Sequence, residues 1–274
     1  MARKKFPSKR EQNSFKAQVY EYYTQYKRSF PWRVRVTPYK VLVSEIMLQQ
    51  TQAKRVVGYF NAFIKKFPTV TSLSKASLSD VLSVWQGLGY NRRAKYIKKC
   101  AEEIVLRYDG VFPKTKKELE SLTGIGPYTA SAICIFAYNS PEICIETNIR
   151  TVYLHHFFNK QNLVPDSKLL PIISATLDTD NPAKWYSALM DYGSHLKEVL
   201  PNPSRKSKHH SKQSVFVGSR RQVRGKVIKH LLDNSRATIE ELKKYEVEKH
   251  SVREVLSGLQ KELLIKKSGK YYTL

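Results

Sequence analysis

Residues 122–130, Leu-Thr-Gly-Ile-Gly-Pro-Tyr-Thr-Ala, constrain this chain more than any other stretch. Two glycines permit positive φ and close backbone approach, and Pro127 suits the first position of a helix, so the segment predicts a tight hairpin joining two helices. The N–H groups that open the second helix are then placed to meet a phosphate. Taken alone, a two-glycine turn is more often only a turn. This chain, however, carries 48 Lys plus Arg against 23 Asp plus Glu, a formal net charge of +25 at pH 7. Such an excess requires a polyanionic partner, and nucleic acid is the first candidate.

Helical signals surround the hairpin. Thr37 and Pro38 open an apolar run at helical spacing that extends to Phe63, with Pro68 ending the stretch. Ser77 caps a helix that stops at Gly87 and Gly89, another runs from about Arg92 to Arg107 and stops at Asp109 and Gly110, and Thr115 caps residues 116–122. After the hairpin come an apolar helix to Tyr138, a helix beginning near Asn148, and one around residues 184–193 that ends at Gly193. Between Glu198 and Asp233 stand nine Lys or Arg and no acidic residue. The expected organisation is a basic N-terminal arm over 1–14, a helical domain over 15–200, a basic linker over 201–220 and a small domain over 221–274. That last segment reads as three helices and two short strands about a Ser268-Gly269 turn, which describes a winged helix. A winged helix serves either DNA binding or protein docking, because fold does not fix function.

Three cysteines, Cys100, Cys134 and Cys144, are too few and too irregular for a disulfide framework or a four-ligand metal site. The basic start lacks a following apolar stretch, and no run of about 18 apolar residues occurs, so neither export nor a membrane span is expected. A reducing, cytoplasmic setting is expected.

The run from Pro31 to Gln52, the block Val84–Ile97 containing Gly-Leu-Gly-Tyr, the hairpin Leu122–Ala130 and the segment Glu146–Tyr153 resemble, in order and spacing, the helix-hairpin-helix DNA glycosylases of the endonuclease III superfamily. The resemblance covers about residues 15–200 and is strongest to the A/G-specific adenine glycosylases. It implies a mostly α, two-lobed helix-hairpin-helix DNA glycosylase fold, here followed by a small C-terminal winged-helix (α+β) domain. It also implies base excision repair by a nucleoid-associated monomer on double-stranded DNA with mismatched or damaged bases, with hydrolysis of the N-glycosidic bond of adenine mispaired with guanine or 8-oxoguanine.

Glu45 is flanked by Val41, Leu42, Val43, Ile46, Met47 and Leu48, so desolvation disfavours its charged form and suits a general acid. A buried ion pair with Lys40 or an arginine is the alternative use of such a residue. By resemblance Glu45 protonates the departing adenine and then manages the nucleophile. Glu146 precedes a helix whose free N–H groups favour an anion, which could stabilise a positive sugar in the transition state. The family carries aspartate there, so this chain's longer side chain is a departure; a plain helix cap is the other reading. Tyr128 stands where lyase-competent relatives carry a Schiff-base lysine, which implies monofunctional excision.

By resemblance Leu48, Gln50 and Tyr90 are wedge residues that fill the stack after base extrusion. Trp32, Arg33, Asp191 and Asn148 match the base pocket, although a tryptophan before a helix is usually core. Arg92 and Arg93 are candidate phosphate contacts or a solvated face; Gly124 and Gly126 place the hairpin on DNA.

Two departures qualify the resemblance. Most relatives hold an iron–sulfur cluster through four cysteines beyond the segment that here reads Met190–Gly193, and this chain has no cysteine after Cys144. No cofactor is therefore expected, and the basic stretch containing Lys206 and Lys208 is expected to supply the cluster loop's phosphate contacts. His209 and His210 alone make a weak metal site. A winged helix also replaces the nudix-like domain that in relatives reads the oxidised guanine. The rival expectations are a thymine or uracil mismatch glycosylase on the same scaffold, and a non-catalytic mismatch-binding protein.

Overall fold

The computed structural model describes residues 6–211 and 214–274. Fourteen α-helices follow in order among them: α1 (Lys9–Tyr26), α2 (Pro38–Leu48), α3 (Ala53–Lys66), α4 (Val70–Lys75), α5 (Leu78–Trp85), α6 (Arg92–Tyr108), α7 (Lys116–Glu120), α8 (Pro127–Tyr138), α9 (Thr147–Phe157), α10 (Asp166–Thr176), α11 (Pro182–Val199), α12 (Arg220–Asn234), α13 (Ile239–Leu242) and α14 (Val252–Lys261). Three strands, β1 (Arg236–Thr238), β2 (Lys266–Ser268) and β3 (Tyr271–Thr273), complete a mostly α chain. No helix among the described residues is long and apolar enough to cross a membrane. The chain divides into two compact units.

The first unit takes the chain up to Val41, a short piece at Lys114–Lys117, and Gly126 through the basic stretch. Its core gathers Phe15 and Val19 of α1, Ile149 and Tyr153 of α9, Ile173 of α10, and Trp185 and Leu189 of α11. Helix α1 starts at a capping box in which Ser8 and Glu11 satisfy each other's backbone N–H groups. Residues 9–14, expected in an arm, are therefore helical, because Gln12 and Phe15 bury on the core; the expected arm's first five residues lie outside the described ones. Helix α11 also departs from expectation by running through Gly193 to Val199. The glycine is there for space: a Cβ would stand 2.2 Å from the backbone oxygen of Asn148, at the start of α9. The expected linker is likewise anchored at its start. Pro203 and Ser204 are buried, and Val164 exchanges backbone hydrogen bonds with Lys206 and Lys208 at 2.9 and 3.0 Å.

The second unit takes Leu42–Pro113, Glu118–Ile125 and the chain from Ser214 onward. Val56, Phe60 and Phe63 of α3, Leu73 of α4, Leu82 and Trp85 of α5, and Ile97 and Ile104 of α6 are buried. Capping boxes at Thr69 and Ser77 start α4 and α5. The apolar run expected as continuous to Phe63 is broken at Gln49–Gln52, where Gln50 takes a left-handed φ of 55°.

In the C-terminal part of this unit α12, α13 and α14 pack together, and the sheet has the order β1-β3-β2 with both pairings antiparallel. Ala237 and Lys267 flank Tyr272 in register. The expected terminal hairpin thus gains a third strand, β1, too short and too polar for a strand signal of its own. Glu262, just past α14, joins this module to α6: its carboxylate accepts from Arg92 at 2.8 Å and from Arg224 at 2.5 Å, and Lys95 donates to its backbone oxygen at 2.7 Å. Burial works against its charge, but the hydrogen bonds from Arg224 and Arg92 outweigh that and hold its carboxyl below the usual range.

Candidate active site

Glu45 lies on α2 in the second unit, 8% exposed, with fully or nearly fully buried Leu42, Val43, Ile46 and Met47 beside it. The neighbours read from the sequence as apolar are thus buried along with it. The end of the helix that carries it is fixed by Arg93. One guanidinium nitrogen of Arg93 donates to the backbone oxygens of Ile46, Met47 and Gln49 at 2.8, 2.9 and 2.7 Å, and the other reaches Gly89 at 3.1 Å. The arginine therefore satisfies the orphan carbonyls of a helix C-terminus. Desolvation pushes its pKa down to about 10, which leaves it charged. Both expectations for Arg93, phosphate contact and solvated face, are corrected: the side chain is buried and holds the Glu45 helix in place.

Glu146 caps α9 in the first unit. One carboxylate oxygen accepts from the backbone N–H groups of Asn148 and Ile149 at 2.7 and 2.9 Å, and the other accepts from Asn148 Nδ2 at 3.3 Å. The backbone donors are N–H groups that the start of a helix otherwise leaves without a partner. The Oδ1 of Asn148 is buried and finds no partner among the described residues. Lys197, one turn beyond Gly193 on α11, lies within electrostatic reach of Glu146; burial lowers its pKa and the Glu146 charge opposes that shift. Tyr128, in the first turn of α8, packs against the first unit's core.

Asp191 is 1% exposed. Arg33 grips it with two hydrogen bonds at 2.8 and 2.9 Å, while Arg28 adds its side chain at 2.7 Å and its backbone N–H at 2.8 Å. Such a bidentate clamp explains a buried carboxylate and fixes the turn at Pro31–Arg33 against α11. Trp32 stacks on Phe30 with centroids 4.7 Å apart and is buried, the usual position of a tryptophan at such a place.

The expected wedge residues belong to the second unit. Leu48 ends α2 half-buried, Gln50 is exposed, and Tyr90 follows Gly89 with φ of 50°. Gln50 and Tyr90 are thus both non-glycine residues in the left-handed region, a strain that persists where surrounding structure imposes it. The Arg93 guanidinium lies 5.2 Å from the Tyr90 ring centre, and Arg92 is engaged with Glu262. In the hairpin Gly124 has φ of 81°, and a Cβ there would meet Tyr96 at 2.7 Å; Glu103 anchors Thr123 through its backbone N–H at 2.8 Å and its hydroxyl at 2.5 Å. Gly126 caps α8 with open space where a Cβ would stand. Lys206 donates to the backbone oxygen of Asn159, and the Lys208 side chain is exposed.

The profile of the HhH-GPD superfamily base excision DNA repair proteins matches residues 43–170. The chain is 33% identical over 235 residues to an adenine DNA glycosylase of Mycolicibacterium smegmatis, covering 80% of each chain. It belongs to the HhH-GPD superfamily. An adenine DNA glycosylase of Buchnera aphidicola (subspecies Baizongia pistaciae) is 37% identical over 168 residues, 61% of this chain and 48% of that protein, so the chain spans about half of that relative's length. Among solved structures, a thermostable thymine-DNA glycosylase superposes with a TM-score of 0.61 at 22% identity, covering 73% of this chain and 91% of that one. A non-covalent endonuclease III–DNA complex gives 0.60 at 16%, covering 70% and 89%. These two likenesses show the helix-hairpin-helix glycosylase fold.

As an HhH-GPD chain it departs in the residues available for a cofactor. In the stretch that directly follows α11 the donors include Ser204, Ser207, His209 and His210, no cysteine follows Cys144, and Cys100, Cys134 and Cys144 are buried elsewhere. This donor set does not fit an iron–sulfur cluster. Among the described residues no three His, Cys, Asp or Glu side chains converge as a metal site. Sequence reasoning missed Arg28 and Lys197. Their proximity to Asp191 and Glu146 is tertiary; only the arginine's place five residues before Arg33 hinted at a shared carboxylate.

Proposed function

We propose that the chain is a monofunctional DNA glycosylase, free of cofactor, that hydrolyses the N-glycosidic bond of adenine mispaired with guanine or 8-oxoguanine. The observation that carries this reading is the contrast between its two carboxyls: Glu45 buried on a helix of apolar composition, Glu146 hydrogen-bonded to the backbone N–H groups that open α9. Two carboxyls in opposite environments divide the roles of acid and anion. In the reaction the bond from the sugar C1′ to the base nitrogen breaks with its electron pair leaving on the base. Glu45 delivers the proton that neutralises the departing adenine. The Glu146 carboxylate stabilises the positive charge that develops on the sugar. Water then adds to C1′ and returns a proton to Glu45, which restores the acid and leaves an abasic sugar. The unpartnered Oδ1 of Asn148 offers an acceptor to that water.

Tyr128 supplies no amine for an imine, and so strand cleavage by the protein is not part of the reaction. Adenine is favoured by the relatives' names and by the resemblance of residues 47–52 to the adenine-specific pattern. Glu45→Gln separates chemistry from binding: base release falls by at least about 10³-fold, near the upper range for a general acid, while affinity for an adenine-containing mismatch changes less than threefold. Equal release by the variant would remove Glu45 from the reaction.

A further inference from the structure

Inside the second unit a cleft of about 870 Å³ opens between the turn at Gln49–Gln52, the Gly87–Arg93 segment and the first turns of α12. Its volume lies in the range of about 300–1,000 Å³ usual for small-molecule sites. Six arginines line it against a single carboxylate, Glu262. Arg92 and Arg224 pair with Glu262, and Arg93 is spent on backbone oxygens. Arg55, Arg220 and Arg221 instead meet only neutral oxygens in the hydrogen bonds the described residues provide: Gly87 carbonyl, Glu254 carbonyl, and the Tyr90 hydroxyl with Ser214. Their charges remain available to an anion.

The same cleft has an aromatic side. Phe216 is 55% exposed, with exposed Val215 and Val217 beside it. Arg221 spans the gap between rings, 5.5 Å from the Tyr90 centroid and 5.9 Å from that of Phe216. Its hydrogen bonds to Tyr90 at 2.8 Å and to the Ser214 oxygen at 2.6 Å hold the Phe216 loop beside the strained Tyr90. The carboxamides of Gln49, Gln50, Gln52, Gln86 and Asn91 line the remaining wall and offer both donors and acceptors. Aromatic face, amide edges and free guanidiniums together match a nucleotide: a base stacks, its edge hydrogen-bonds, and its phosphate meets the cations.

We propose that this cleft holds one unstacked nucleotide of the bound DNA, its base on Phe216 and its phosphate on Arg55, Arg220 and Arg221. The C-terminal module thus contacts DNA through the start of its first helix and the loop before it, instead of through the groove-reading helix usual in helix-turn-helix relatives. The inference rests on the glycosylase reading for the kind of DNA involved. The nucleotide comes from the strand that loses its base or from the opposite strand, and the two sources share this chemistry.

The test uses the full chain with Phe216→Ala, Arg221→Ala and, as control, Lys229→Ala on the exposed face of α12 outside the cleft. Duplex affinity is measured across a salt series. Phe216→Ala weakens binding roughly tenfold without changing the salt slope, as loss of a stacking face requires. Arg221→Ala weakens binding and lowers the slope by about one, the signature of one lost phosphate contact. Lys229→Ala changes affinity less than twofold. 2-Aminopurine placed opposite the target adenine, or beside it in the target strand, assigns the source: its emission on binding differs between parent and Phe216→Ala at only one of these positions. A Phe216→Ala affinity equal to that of Lys229→Ala, or an emission unchanged at every position, overturns the proposal. Absence of base release by the parent would sink the glycosylase reading alone, because binding and emission are read without catalysis.

Discussion

Glu45 and Glu146 each stand at a helix that the rest of their unit holds still, and the means differ. On α2 the apolar residues near Glu45 in the chain are buried, and the structural work is delegated to Arg93, which ties down the helix end through the Ile46 and Met47 oxygens. On α9 the carboxylate does its own structural work, capping the helix through Asn148 and Ile149. One carboxyl is thus held by its helix's burial and the other by its own hydrogen bonds to the backbone, so substitutions of equal size have unlike consequences in the two places.

Glu146→Gln keeps an acceptor for the cap and removes the charge. Base release by single turnover should fall about a hundredfold, the scale of one electrostatic contact in a transition state, with little change in melting temperature. Glu146→Asp keeps both charge and cap, since aspartate is a favoured N-cap, and turnover should be preserved or improved. A drop to background in the aspartate variant would show that the pocket has adapted to the longer side chain.

Arg93→Ala acts on the other carboxyl without touching it. Leaving the carbonyls of Ile46, Met47, Gln49 and Gly89 short of a donor should cost on the order of 3 kcal/mol and lower the melting temperature by roughly 6–12 °C, and base release should fall through displacement of Glu45. Arg93→Lys should rescue only part, because a single ammonium cannot span the same oxygens. A melting temperature unchanged by Arg93→Ala would break the contrast drawn between the two helices.

The smallest effect concerns the core behind α9. His156 packs against Phe15 and meets the Tyr192 hydroxyl at 3.2 Å; burial, then the neighbouring His155, pushes its pKa down to about 4. The unfolded chain, titrating near 6.5, binds the proton more readily, so stability is complete above about pH 6.5 and declines as pH falls toward 4. His156→Phe should flatten that decline by a few degrees of melting temperature. An identical acid-side profile in parent and variant would refute the role assigned to this imidazole.

Most helix starts were legible in the sequence because caps are local: Ser77 with Asp80, Thr37 before Pro38, Pro127 after Gly126. Gly193 misled because a glycine that ends a helix and one that admits a neighbouring backbone look alike in sequence, and only Asn148 behind it decides between them. The break at Gln50 was hidden for a similar reason, since a left-handed glutamine has no local signature and depends on Arg93 holding the turn. At the candidate site the residue types were readable, while Arg28, Lys197 and the buried use of Arg93 depend on contacts distant in the chain.

The most direct test of the account is a single-turnover assay of the parent chain on duplexes holding A opposite 8-oxoguanine, A opposite G, T opposite G and U opposite G, with products divided between alkaline heating and none. The account predicts release of adenine alone, with strand breaks appearing only after alkali. Release of thymine or uracil, breaks without alkali, or tight binding with no base released would contradict it.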